Sequence, residues 1–488
     1  MLQQLDTADN VRHKLALRTT SKYKAEFGQF MTPSNVARFM ASLFPPSNLK
    51  TCHLLDAGAG VGALTCAFLD HWAANGFGFN SVEVTAYEVD KELQTYLSQH
   101  LNVYDNVKTN IISGDYIKLA TDKGLQDQGY THAILNPPYK KINSKSEHRL
   151  ALSKVGIETV NLYSAFIALA LAQMASGGQI VAIIPRSFCN GPYYRPFRDF
   201  ILKRASIRQI HLFESRNKAF KDDQVLQENI IICLERDGEQ GPVTISTSTD
   251  DSFSDLANCA IPFERIVFPD DSERFIHVQT TTDKSAIELS SAVRHSMTDI
   301  DVKLSTGPVV DFRLKEHLRD MPEEGSAPLI YPSHLKTGKT NWPITNSKKS
   351  NAIMQNSDTE KWLYPKGFYC VVKRFSSKEE KRRVVASLVD PNHFEDYPML
   401  GFENHLNVFH DNKNGLPEAL ASGLTVYLNT TAVDEHFRRF SGHTQVNATD
   451  LKQMKYPSRK ALIQLGEWAL KQKNITQENI DAQFGDLI

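Results

Sequence analysis

The first half of the chain alternates short apolar segments with segments of helical periodicity, and this alternation restricts the fold more than any other feature. The apolar segments predict strands at 53–57, 82–88, 107–113, 132–135, 179–184, 207–213 and 225–234. Helical periodicity is found at 62–72, 91–101, 161–175 and 196–204. Strands and helices at this spacing predict an α/β fold. Its sheet is mainly parallel with helices on both faces, and ligands bind at the carboxyl ends of the strands.

The regular alternation ends near residue 237. The polar segment Asp237-Gly-Glu-Gln-Gly241 predicts a linker. Short strand-like segments separated by polar loops follow it, at 243–246, 265–268, 367–372 and 425–428. We therefore predict two domains, residues 1–237 and 238–488, because 488 residues exceed what one hydrophobic core usually organises. The first domain has the α/β pattern, and the second is predicted to be a mixed α+β domain.

Cysteine usage and hydropathy exclude several classes of protein. The six cysteines are scattered, without a Cys-x-x-Cys pair, which argues against a disulfide framework and a thiolate zinc site. We expect no bound metal. The longest mainly apolar segment, residues 162–172, is too short to cross a bilayer. The N-terminal segment lacks the apolar core of a signal peptide, so the sequence predicts a cytoplasmic protein without membrane contact.

The net charge of −1 conceals an uneven distribution. The segment 140–221 contains 14 Lys and Arg residues against four Asp and Glu residues, a local charge of +10. Because phosphate attraction acts locally, such a segment can bind a polyanion even in a nearly neutral chain. A solvated surface whose acidic partners come from elsewhere in the sequence accounts for the charge about as well.

A glycine-rich motif, Asp56-Ala-Gly-Ala-Gly-Val-Gly62, follows a predicted strand and opens a predicted helix. Glycines let a backbone turn tightly and approach a ligand closely. Glu88 ends the next strand, where its carboxylate can accept both hydroxyl groups of a ribose. Many αβ turns need glycine for structural reasons alone, but the pairing with a strand-ending acid favours an adenosine-containing cofactor.

A second motif, Asn136-Pro-Pro-Tyr139, follows the fourth predicted strand. Consecutive prolines fix φ and remove backbone donors, so the loop holds one shape. The Asn136 amide oxygen and the Pro137 carbonyl can then accept both N–H bonds of a planar amino group, while Tyr139 stacks on its ring. These acceptors would localise the nitrogen lone pair for attack. A strand-terminating turn is the structural alternative, since Asn-Pro commonly marks turns.

Three motifs occur in an order that resembles a known family. Phe27-Gly-Gln-Phe-Met-Thr-Pro33 precedes the glycine-rich loop, and Asn136-Pro-Pro-Tyr139 follows it. In this order they resemble the γ class of S-adenosylmethionine-dependent DNA adenine-N6 methyltransferases, typified by the TaqI enzyme, whose catalytic domain is Rossmann-like. Four stretches of the second half are similar to the PstI/BsuBI-type modification methylases: Ser305–Arg313, Val372–Arg383, Glu403–Asn407 and Ser441–Asp450.

The resemblance implies S-adenosylmethionine as cofactor and assigns residues to it. Thr32 and Pro33 correspond to the element along its methionine side. Asp56, Gly58 and Gly60 correspond to the loop beneath it, Glu88 to the acid that binds the ribose, and Asp115 to the acid that holds the adenine N6.

The resemblance also assigns residues to the target base. Asn136 and Pro137 would hold the amine of a flipped-out adenine, with Pro138 fixing the loop and Tyr139 stacking on the base. Phe220 falls where the γ class has a second aromatic residue against that base, although a Phe ahead of a strand is as often a core residue.

Basic residues near these motifs are predicted to contact DNA. Lys140 and Lys141 follow the Asn-Pro-Pro-Tyr motif directly, and Arg186 and Arg195 flank aromatic residues near another strand end. In the second half, Lys373-Arg374 and the later Lys381-Arg382-Arg383 make residues 238–488 the expected DNA target-recognition domain. An exposed helix with ion pairs four residues apart explains the later cluster nearly as well.

The resemblance as a whole implies a site-specific adenine methyltransferase of a type II restriction–modification system, with CTGCAG-like sites in double-stranded DNA as its target. It further suggests a monomer and a separately encoded restriction endonuclease. One alternative is an Asn-Pro-Pro-Tyr methyltransferase that acts on guanine in RNA or on glutamine in a protein. Another is a catalytically silent DNA-binding subunit. The long second half argues against the first alternative, and the intact acids and Asn136–Tyr139 argue against the second.

Overall fold

The structure is a computed structural model. It describes residues 4–18, 31–47, 49–122, 124–214, 228–269, 271–280, 283, 285–336, 338–376, 380–440 and 445–486. The chain divides into two compact units, Met1–Thr282 and Asp283–Ile488. Within the described ranges, no helix is both long enough and apolar enough to span a membrane.

Nine strands of the first unit form one sheet in the order β3-β2-β1-β4-β5-β7-β6-β8-β9. The strands are β1 (Thr51–Ala57), β2 (Ser81–Glu88), β3 (Val107–Ser113), β4 (Tyr130–Leu135), β5 (Met174–Pro185), β6 (Ala205–Phe213), β7 (Asn229–Arg236), β8 (Val243–Ser248) and β9 (Ala257–Ile261). β7 runs antiparallel to both of its neighbours and β9 antiparallel to β8, whereas the other neighbours are parallel. The predicted mainly parallel sheet is confirmed.

Helices cover both faces of this sheet. They are α1 (Gln4–Arg18), α2 (Ser34–Ser42), α3 (Ala63–Ala73), α4 (Lys91–Leu101), α5 (Tyr116–Asp122), α6 (Glu147–Lys154), α7 (Leu162–Gln173), α8 (Arg195–Arg204) and the single turn α9 (Phe263–Ile266), with 3₁₀ turns at Arg186–Phe188 and Pro192–Tyr194. Because side chains alternate along a strand, Ala133 and Leu135 join the core beneath α7, whereas Ile134 joins the core beneath α3.

The first unit continues well beyond the predicted boundary at residue 237. β8 pairs in parallel with β6, and β9 pairs with β8, so both extend the sheet. The polar segment after β7 is held in place, since the Gln240 side chain bonds both the N–H and the carbonyl of Ile207 at 2.8 and 3.0 Å. A composition rich in turn residues therefore marks a connection between sheet strands here, and the compact units part at Thr282.

The second unit is a mixed α+β structure with three sheets, in the orders β11-β21-β18-β19-β15-β14, β12-β16-β13-β20-β17 and β10-β22. Its strands are β10 (Val293–His295), β11 (Lys303–Thr306), β12 (Leu318–Arg319), β13 (Ser326–Ile330), β14 (Leu335–Lys336), β15 (Gly338–Thr340), β16 (Ala352–Met354), β17 (Leu363–Pro365), β18 (Tyr369–Lys373), β19 (Ala386–Val389), β20 (Met399–Phe402), β21 (Leu406–His410) and β22 (Tyr456–Pro457).

The helices of the second unit are α10 (Ala286–Leu289), α11 (Glu418–Leu428), α12 (Thr431–Phe440), α13 (Ala448–Gln453), α14 (Arg459–Leu470) and α15 (Gln477–Gly485), with 3₁₀ turns at Asp311–Arg313, Lys315–His317, Pro332–His334, Glu360–Trp362 and Pro391–Phe394. Two predicted strands are wrong. Residues 425–428 end α11, which is buried on all sides from Leu420 to Leu428, and residues 265–268 begin inside the turn α9.

Candidate active site

The carboxyl ends of β1, β2, β3 and β4 lie side by side, because these strands are parallel neighbours. A cavity of about 560 Å³ opens at this edge of the sheet. The residues singled out in the sequence that line it are Thr32, Gly58, Gly60, Glu88, Asp115, Asn136, Pro138, Lys140 and Lys141. The fold thus gathers residues that lie far apart in the sequence, such as Thr32 and Asn136, which are 104 positions apart.

The glycine-rich loop after β1 is tied to the end of β2. Gly58, Gly60 and Gly62 have φ values of 79°, 57° and 88°, a conformation that other L-residues rarely adopt. The N–H groups of Gly58 and Ala59 both donate to the carbonyl oxygen of Tyr87, at 2.8 and 3.0 Å. No described atom lies within 4 Å of the place where a Cβ on Gly60 would stand, so a ligand can approach this backbone closely.

The Glu88 carboxylate ends β2 on the cavity wall. Its Oε2 accepts a hydrogen bond from the Gly60 N–H at 2.8 Å, and its Oε1 accepts from the N–H groups of Val89 and Asp90 at 2.8 and 2.9 Å. Burial raises the pKa of Glu88, and the backbone donors oppose that rise. Because each carboxylate oxygen has two lone pairs, Glu88 can accept further hydrogen bonds from a ligand's hydroxyl groups.

Asp56 lies beneath the loop rather than on the cavity wall. Its side chain is fully buried, and Oδ2 accepts a hydrogen bond from the Thr65 hydroxyl at 2.6 Å. Oδ1 has no hydrogen-bond partner among the described residues. Burial, with a smaller contribution from the Glu88 charge, raises the pKa of Asp56 to about 7. Asp56 and Thr65 therefore connect the end of β1 to α3, under the backbone that faces the cavity.

The raised pKa of Asp56 predicts a stability that falls as the pH rises. Between about pH 4, where an ordinary carboxyl titrates in the unfolded chain, and about pH 7, the folded state keeps a proton that the unfolded state has lost. Unfolding thus releases a proton in this window. In Asp56→Asn, the free energy of unfolding should fall less steeply with pH, as measured by urea unfolding at half-unit pH intervals.

A control is needed because burial also raises the pKa of Asp450 to about 7, which adds a similar slope. The relevant quantity is therefore the difference between wild type and Asp56→Asn. The exposed Asp358→Asn variant should follow the wild-type curve. Equal slopes in wild type and Asp56→Asn would show that Asp56 is ionised in the folded protein.

Asp115 is held by a residue that sequence reasoning did not single out. His148 on α6 donates from Nε2 to Asp115 Oδ2 at 2.6 Å, and the N–H of Lys118 donates to Oδ1 at 3.1 Å. Burial alone would raise the pKa of Asp115, but these donors outweigh it and lower the pKa below its ordinary range. Asp115 is thus a carboxylate at neutral pH, and His148 lines the same cavity.

The Asn136 amide is oriented by two hydroxyl groups. Its Nδ2 donates to Thr32 Oγ1 at 2.9 Å, and its Oδ1 accepts from the Tyr139 hydroxyl at 3.0 Å. That hydroxyl also lies 3.1 Å from the carbonyl oxygen of Ile183. Burial raises the pKa of Tyr139, so its single proton remains and can be donated to either oxygen. Donation to Ile183 would leave Asn136 Oδ1 more accessible to a bound amine.

The other predicted site residues near the Asn136 amide differ in whether they line the cavity. Pro138 lines the cavity, whereas Pro137 is buried and Pro33 forms the N-cap of α2 next to the buried Thr32. The Tyr139 ring packs edge-on against Tyr163, with 6.2 Å between ring centroids. Phe220 lies outside the described residues.

The basic residues predicted to contact DNA have different surroundings. Lys140 and Lys141 are exposed at the cavity rim, and Arg195 is half exposed at the start of α8. Arg186 differs from the expectation, because its guanidinium is buried and pairs with the buried Glu228 carboxylate at 2.8 Å. It therefore does not face solvent. Lys373 and Arg374 belong to the second unit, at the end of β18.

The segment after the Asn-Pro-Pro-Tyr motif, whose lysines are predicted to contact DNA, also forms a wall of the cavity. Ile142, Asn143, Ser146 and His148 line the cavity together with the two lysines. Arg149 donates to the carbonyl of Thr159, and Ile142 N–H donates to the carbonyl of Val160 at 2.8 Å, so the segment folds back on itself. No periodicity or spacing in the sequence signals that His148 meets Asp115.

Comparison with solved structures shows which known proteins share this fold. The chain is similar to DrdV in its DNA complex (TM-score 0.55, 11% identity, 96% of this chain and 59% of that chain). It is also similar to the type IIL restriction–modification enzyme MmeI in complex with DNA (TM-score 0.52, 10% identity, 99% of this chain and 72% of that chain). Residues 70–220 match the family described as Eco57I restriction-modification methylase. At 10–11% identity these structures show a shared fold, and the family model matches a part of the first unit.

Two curated relatives with much higher sequence identity show the family of this chain. The type II methyltransferase M.BsuBI of Bacillus subtilis is 51% identical over 500 residues, covering 100% of this chain and 99% of its own length. M.PstI of Providencia stuartii is 41% identical over 467 residues, covering 93% and 91%. The chain belongs to this family of type II DNA methyltransferases from restriction–modification systems. The resemblance seen in the sequence motifs is confirmed.

Proposed function

We propose that this DNA methyltransferase acts at a specific site and transfers a methyl group from S-adenosylmethionine to N6 of adenine. The observation that carries the proposal is the position of the Asn136 amide. It lies on the wall of the cavity that also contains the glycine-rich loop and Glu88, with its oxygen in reach of a bound amine. A methyl acceptor and an adenosine-containing donor can therefore meet in one cavity.

The described residues fit S-adenosylmethionine. Gly60 leaves space for a ligand next to its backbone, Glu88 can accept bonds from ribose hydroxyl groups, and Asp115 is an ionised acceptor suited to an adenine amine. Thr32, which lines the cavity, is proposed to contact the methionine side of the cofactor together with Pro33. When bound, the cofactor supplies a methyl group activated by its sulfonium. The cavity's contribution is to exclude water and to orient the amine toward that group.

Asn136 and Pro137 are proposed to accept the two N–H bonds of the adenine amine. Acceptors on both hydrogens draw the nitrogen toward sp³ geometry, so that its lone pair can attack without prior loss of a proton. Asn136 and Pro137 would hold the amine so that it takes the methyl group directly, without a covalent enzyme intermediate. S-adenosylhomocysteine would be the leaving group, and the methylated nitrogen would release its surplus proton to water. The Tyr139 hydroxyl, which can donate to Ile183 instead of Asn136, lets the amide oxygen turn to the substrate.

The target adenine must leave the duplex to reach this cavity. Flipping costs a few kcal/mol of unstacking, which stacking on Tyr139 and the hydrogen bonds of Asn136 and Pro137 would offset. Phe220 is proposed as a second aromatic contact. The exposed Lys140 and Lys141 at the cavity rim are suited to the phosphates beside the flipped nucleotide, and the half-exposed Arg195 to a more distant phosphate.

The resemblance extends the proposal beyond the catalytic step. The site is proposed to be CTGCAG-like and the enzyme to be a cytoplasmic monomer. A separately encoded endonuclease would cleave unmethylated copies of the same site. The second half, with Lys373 and Arg374, is proposed to recognise the target sequence.

The proposed contact of Asp115 with the adenine of the cofactor predicts an effect of His148. His148→Ala should weaken binding of S-adenosylhomocysteine about tenfold, because Asp115 loses the donor that fixes its carboxylate. The side chains of His148 and Asp115 are 29% and 32% exposed, so solvent screens their interaction. The loss of affinity should therefore lie at the low end for a charged hydrogen bond. Isothermal titration calorimetry measures it.

The neighbouring Glu147→Ala is a matched control. Glu147 pairs with Lys118, but both side chains are exposed, at 79% and 49%, and surface pairs contribute little. Its affinity should equal that of the wild type. If both variants bind equally well, His148 does not position Asp115 for the cofactor.

The product of the reaction tests the proposed function. The purified protein is incubated with S-adenosylmethionine carrying a labelled methyl group and with unmethylated plasmid DNA, and the DNA is digested to nucleosides for mass spectrometry. Label in N6-methyladenine supports the proposal. Label in N4-methylcytosine would keep the chemistry but overturn the adenine assignment. Label in parallel RNA or protein samples, with none in DNA, would overturn the choice of substrate.

A further inference from the structure

The four stretches that are similar to the PstI/BsuBI-type modification methylases are distant in sequence. They meet at one end of the six-stranded sheet of the second unit. The end of β11 pairs with the start of β21, since Thr306 lies opposite Asn407. The end of β18 also pairs with the start of β21, since Lys373 lies opposite Leu406. The loops that follow β11 and β18 and the loop that precedes β21 therefore emerge together.

Backbone hydrogen bonds hold these loops to one another. Asn404 N–H donates to the carbonyl of Val309 at 2.9 Å, and Arg374 N–H donates to the carbonyl of His405 at 2.9 Å. The fourth segment joins through Val446, whose N–H donates to the carbonyl of Arg374 at 2.6 Å. The four segments thus form one platform whose backbone is fixed by its own contacts.

This platform presents aromatic rings and cations to solvent. Phe312 is 63% exposed and Phe375 is 46% exposed. The Phe375 ring lies 4.8 Å from the His405 ring, and the Arg313 guanidinium lies 5.5 Å from the Phe312 ring. We call Phe312, Arg313, Arg374, Phe375 and His405 the aromatic–basic patch. Exposed large apolar side chains grouped with polar ones commonly mark a binding surface.

Among the described residues, one polar atom of Arg374 and one of the neighbouring Asn404 have no hydrogen-bond partner. The Arg374 side chain makes one hydrogen bond within the described residues, from Nη1 to the carbonyl of Asn404 at 3.2 Å. Its Nε and the Oδ1 of Asn404 are buried without a hydrogen bond to any described residue. A guanidinium has five N–H donors, and buried polar groups are nearly always satisfied in folded proteins. Among the described residues, the Arg374 guanidinium therefore keeps N–H donors that have no acceptor.

The His405 ring is oriented from behind. Its Nδ1 lies 2.6 Å from Oε1 of Glu403, whose side chain is fully buried, while the ring itself is 40% exposed. Asp311 belongs to the same cluster. Burial would raise the pKa of Asp311, but Lys349 and, more weakly, His405 lower it below its ordinary value. The buried Glu403 carboxylate thus lies behind the histidine and orients its ring.

Four other polar residues of these segments are held within the second unit. Arg382 donates to Gln477 Oε1 and to the Thr430 carbonyl at 2.9 and 2.8 Å, and Arg383 is fully buried. Asn407 donates to the Val446 carbonyl at 2.7 Å, and Asn447 caps α13. These contacts give the four residues structural roles, whereas Arg374 and His405 remain available for contact with bases.

We propose that the aromatic–basic patch reads base edges of the target duplex and that Arg374 determines specificity by contacting a guanine. This inference rests on the proposed function as a site-specific DNA methyltransferase. An arginine fork matches O6 and N7 of guanine in the major groove, and an apolar ring suits the methyl group of thymine. The fixed backbone of the platform would hold these side chains in register with the bases.

The test begins with the full-length wild-type enzyme, whose methylated sequence is mapped on plasmid DNA. Methyl transfer is then measured as kcat/KM on a duplex containing that sequence and on duplexes altered at one base pair each. Arg374→Gln should lower kcat/KM on the cognate duplex about 10- to 100-fold. It should lose discrimination at one G·C position and keep it elsewhere. Phe375→Ala should relax discrimination at a neighbouring position.

Two controls distinguish base reading from simpler effects. Arg294→Gln removes an exposed arginine of the same unit outside the patch, and it should keep the wild-type site preference. Cofactor affinity and Tm of Arg374→Gln should equal those of the wild type, which shows that the variant is folded.

Three results would overturn the inference. They are an unchanged preference in Arg374→Gln, a loss that is uniform over all duplexes as for a phosphate contact, and a patch variant that alters only self-association or binding of another protein. If the wild type methylates no DNA at all, the proposed function fails instead, and that result is recognised before any variant is measured.

Discussion

Asn136→Ala is expected to slow methyl transfer about 10³-fold while cofactor affinity and Tm stay near the wild-type values. The substitution removes the oxygen proposed to accept an N–H bond of the target amine. Loss of one hydrogen-bonding group aimed at a developing charge typically costs 10²–10³ in rate. The amide lies at the cavity wall rather than in the core, so stability depends on it little. Single-turnover kinetics with saturating cofactor and duplex measure the chemical step.

Asn136→Asp is the matched variant, because it keeps an oxygen acceptor at the same place. The Thr32 hydroxyl, which accepts from Asn136 in the wild type, can donate to the new carboxylate. Its rate should therefore lie between those of the wild type and Asn136→Ala. If Asn136→Ala transfers methyl at the wild-type rate, or if its defect disappears at higher cofactor concentration, Asn136 does not hold the amine.

The sequence was sufficient for the strands and helices of the first unit up to residue 236, and the reason is physical. Residues 132–135 and 179–184 are continuous apolar segments, as expected for strands covered on both faces, and they form β4 and β5. A mainly parallel sheet with acids and glycines after its strands must gather them at one edge. Glu88, Asp115 and Asn136 could therefore be predicted to share one cavity, whereas Thr32, which precedes the first strand, was assigned to it only through the family resemblance.

Long-range side-chain contacts could not be predicted from the sequence. His148 meets Asp115 across 33 positions through the folding back of residues 140–161, which follows no period. Arg186 looked like a surface cation, yet its partner Glu228 is 42 positions away and both are buried. A local charge count cannot recognise such pairs, because burial depends on how the sheet and its loops pack.

Local propensity also misled at particular places. Thr425–Leu428 is rich in β-branched and aromatic residues and was predicted as a strand, but it completes a helix. Tertiary packing outweighs the propensity there, because α11 lies within the core of the second unit and buries every side of its last two turns. The polar Asp237–Gly241 segment was read as a linker for a similar reason, since its side-chain bonds to β6 are not visible in composition.

Gly466→Ala is expected to destabilise the second unit, because α11 and α14 touch through their backbones. A Cβ on Gly466 would stand 1.7 Å from the carbonyl oxygen of Ala419, and one on Gly423 would stand 1.8 Å from that of Leu462. A backbone carbonyl cannot rotate away as a side chain can, so the helices must move apart. Overpacking of this kind costs about 3 kcal/mol, against about 1 kcal/mol gained in helix propensity.

The net loss of about 2 kcal/mol corresponds to a Tm lower by about 4–8 °C for a unit of this size. Differential scanning calorimetry on the full chain measures it, and Gly423→Ala should act in the same direction from the facing helix. Gly485→Ala is the control, since no described atom lies within 4 Å of its Cβ position at the end of α15 and the added methyl group should be neutral or slightly stabilising. Equal Tm values for Gly466→Ala and Gly485→Ala would mean that the two helices are not in backbone contact, and the second unit would then need a different source of stability along this interface.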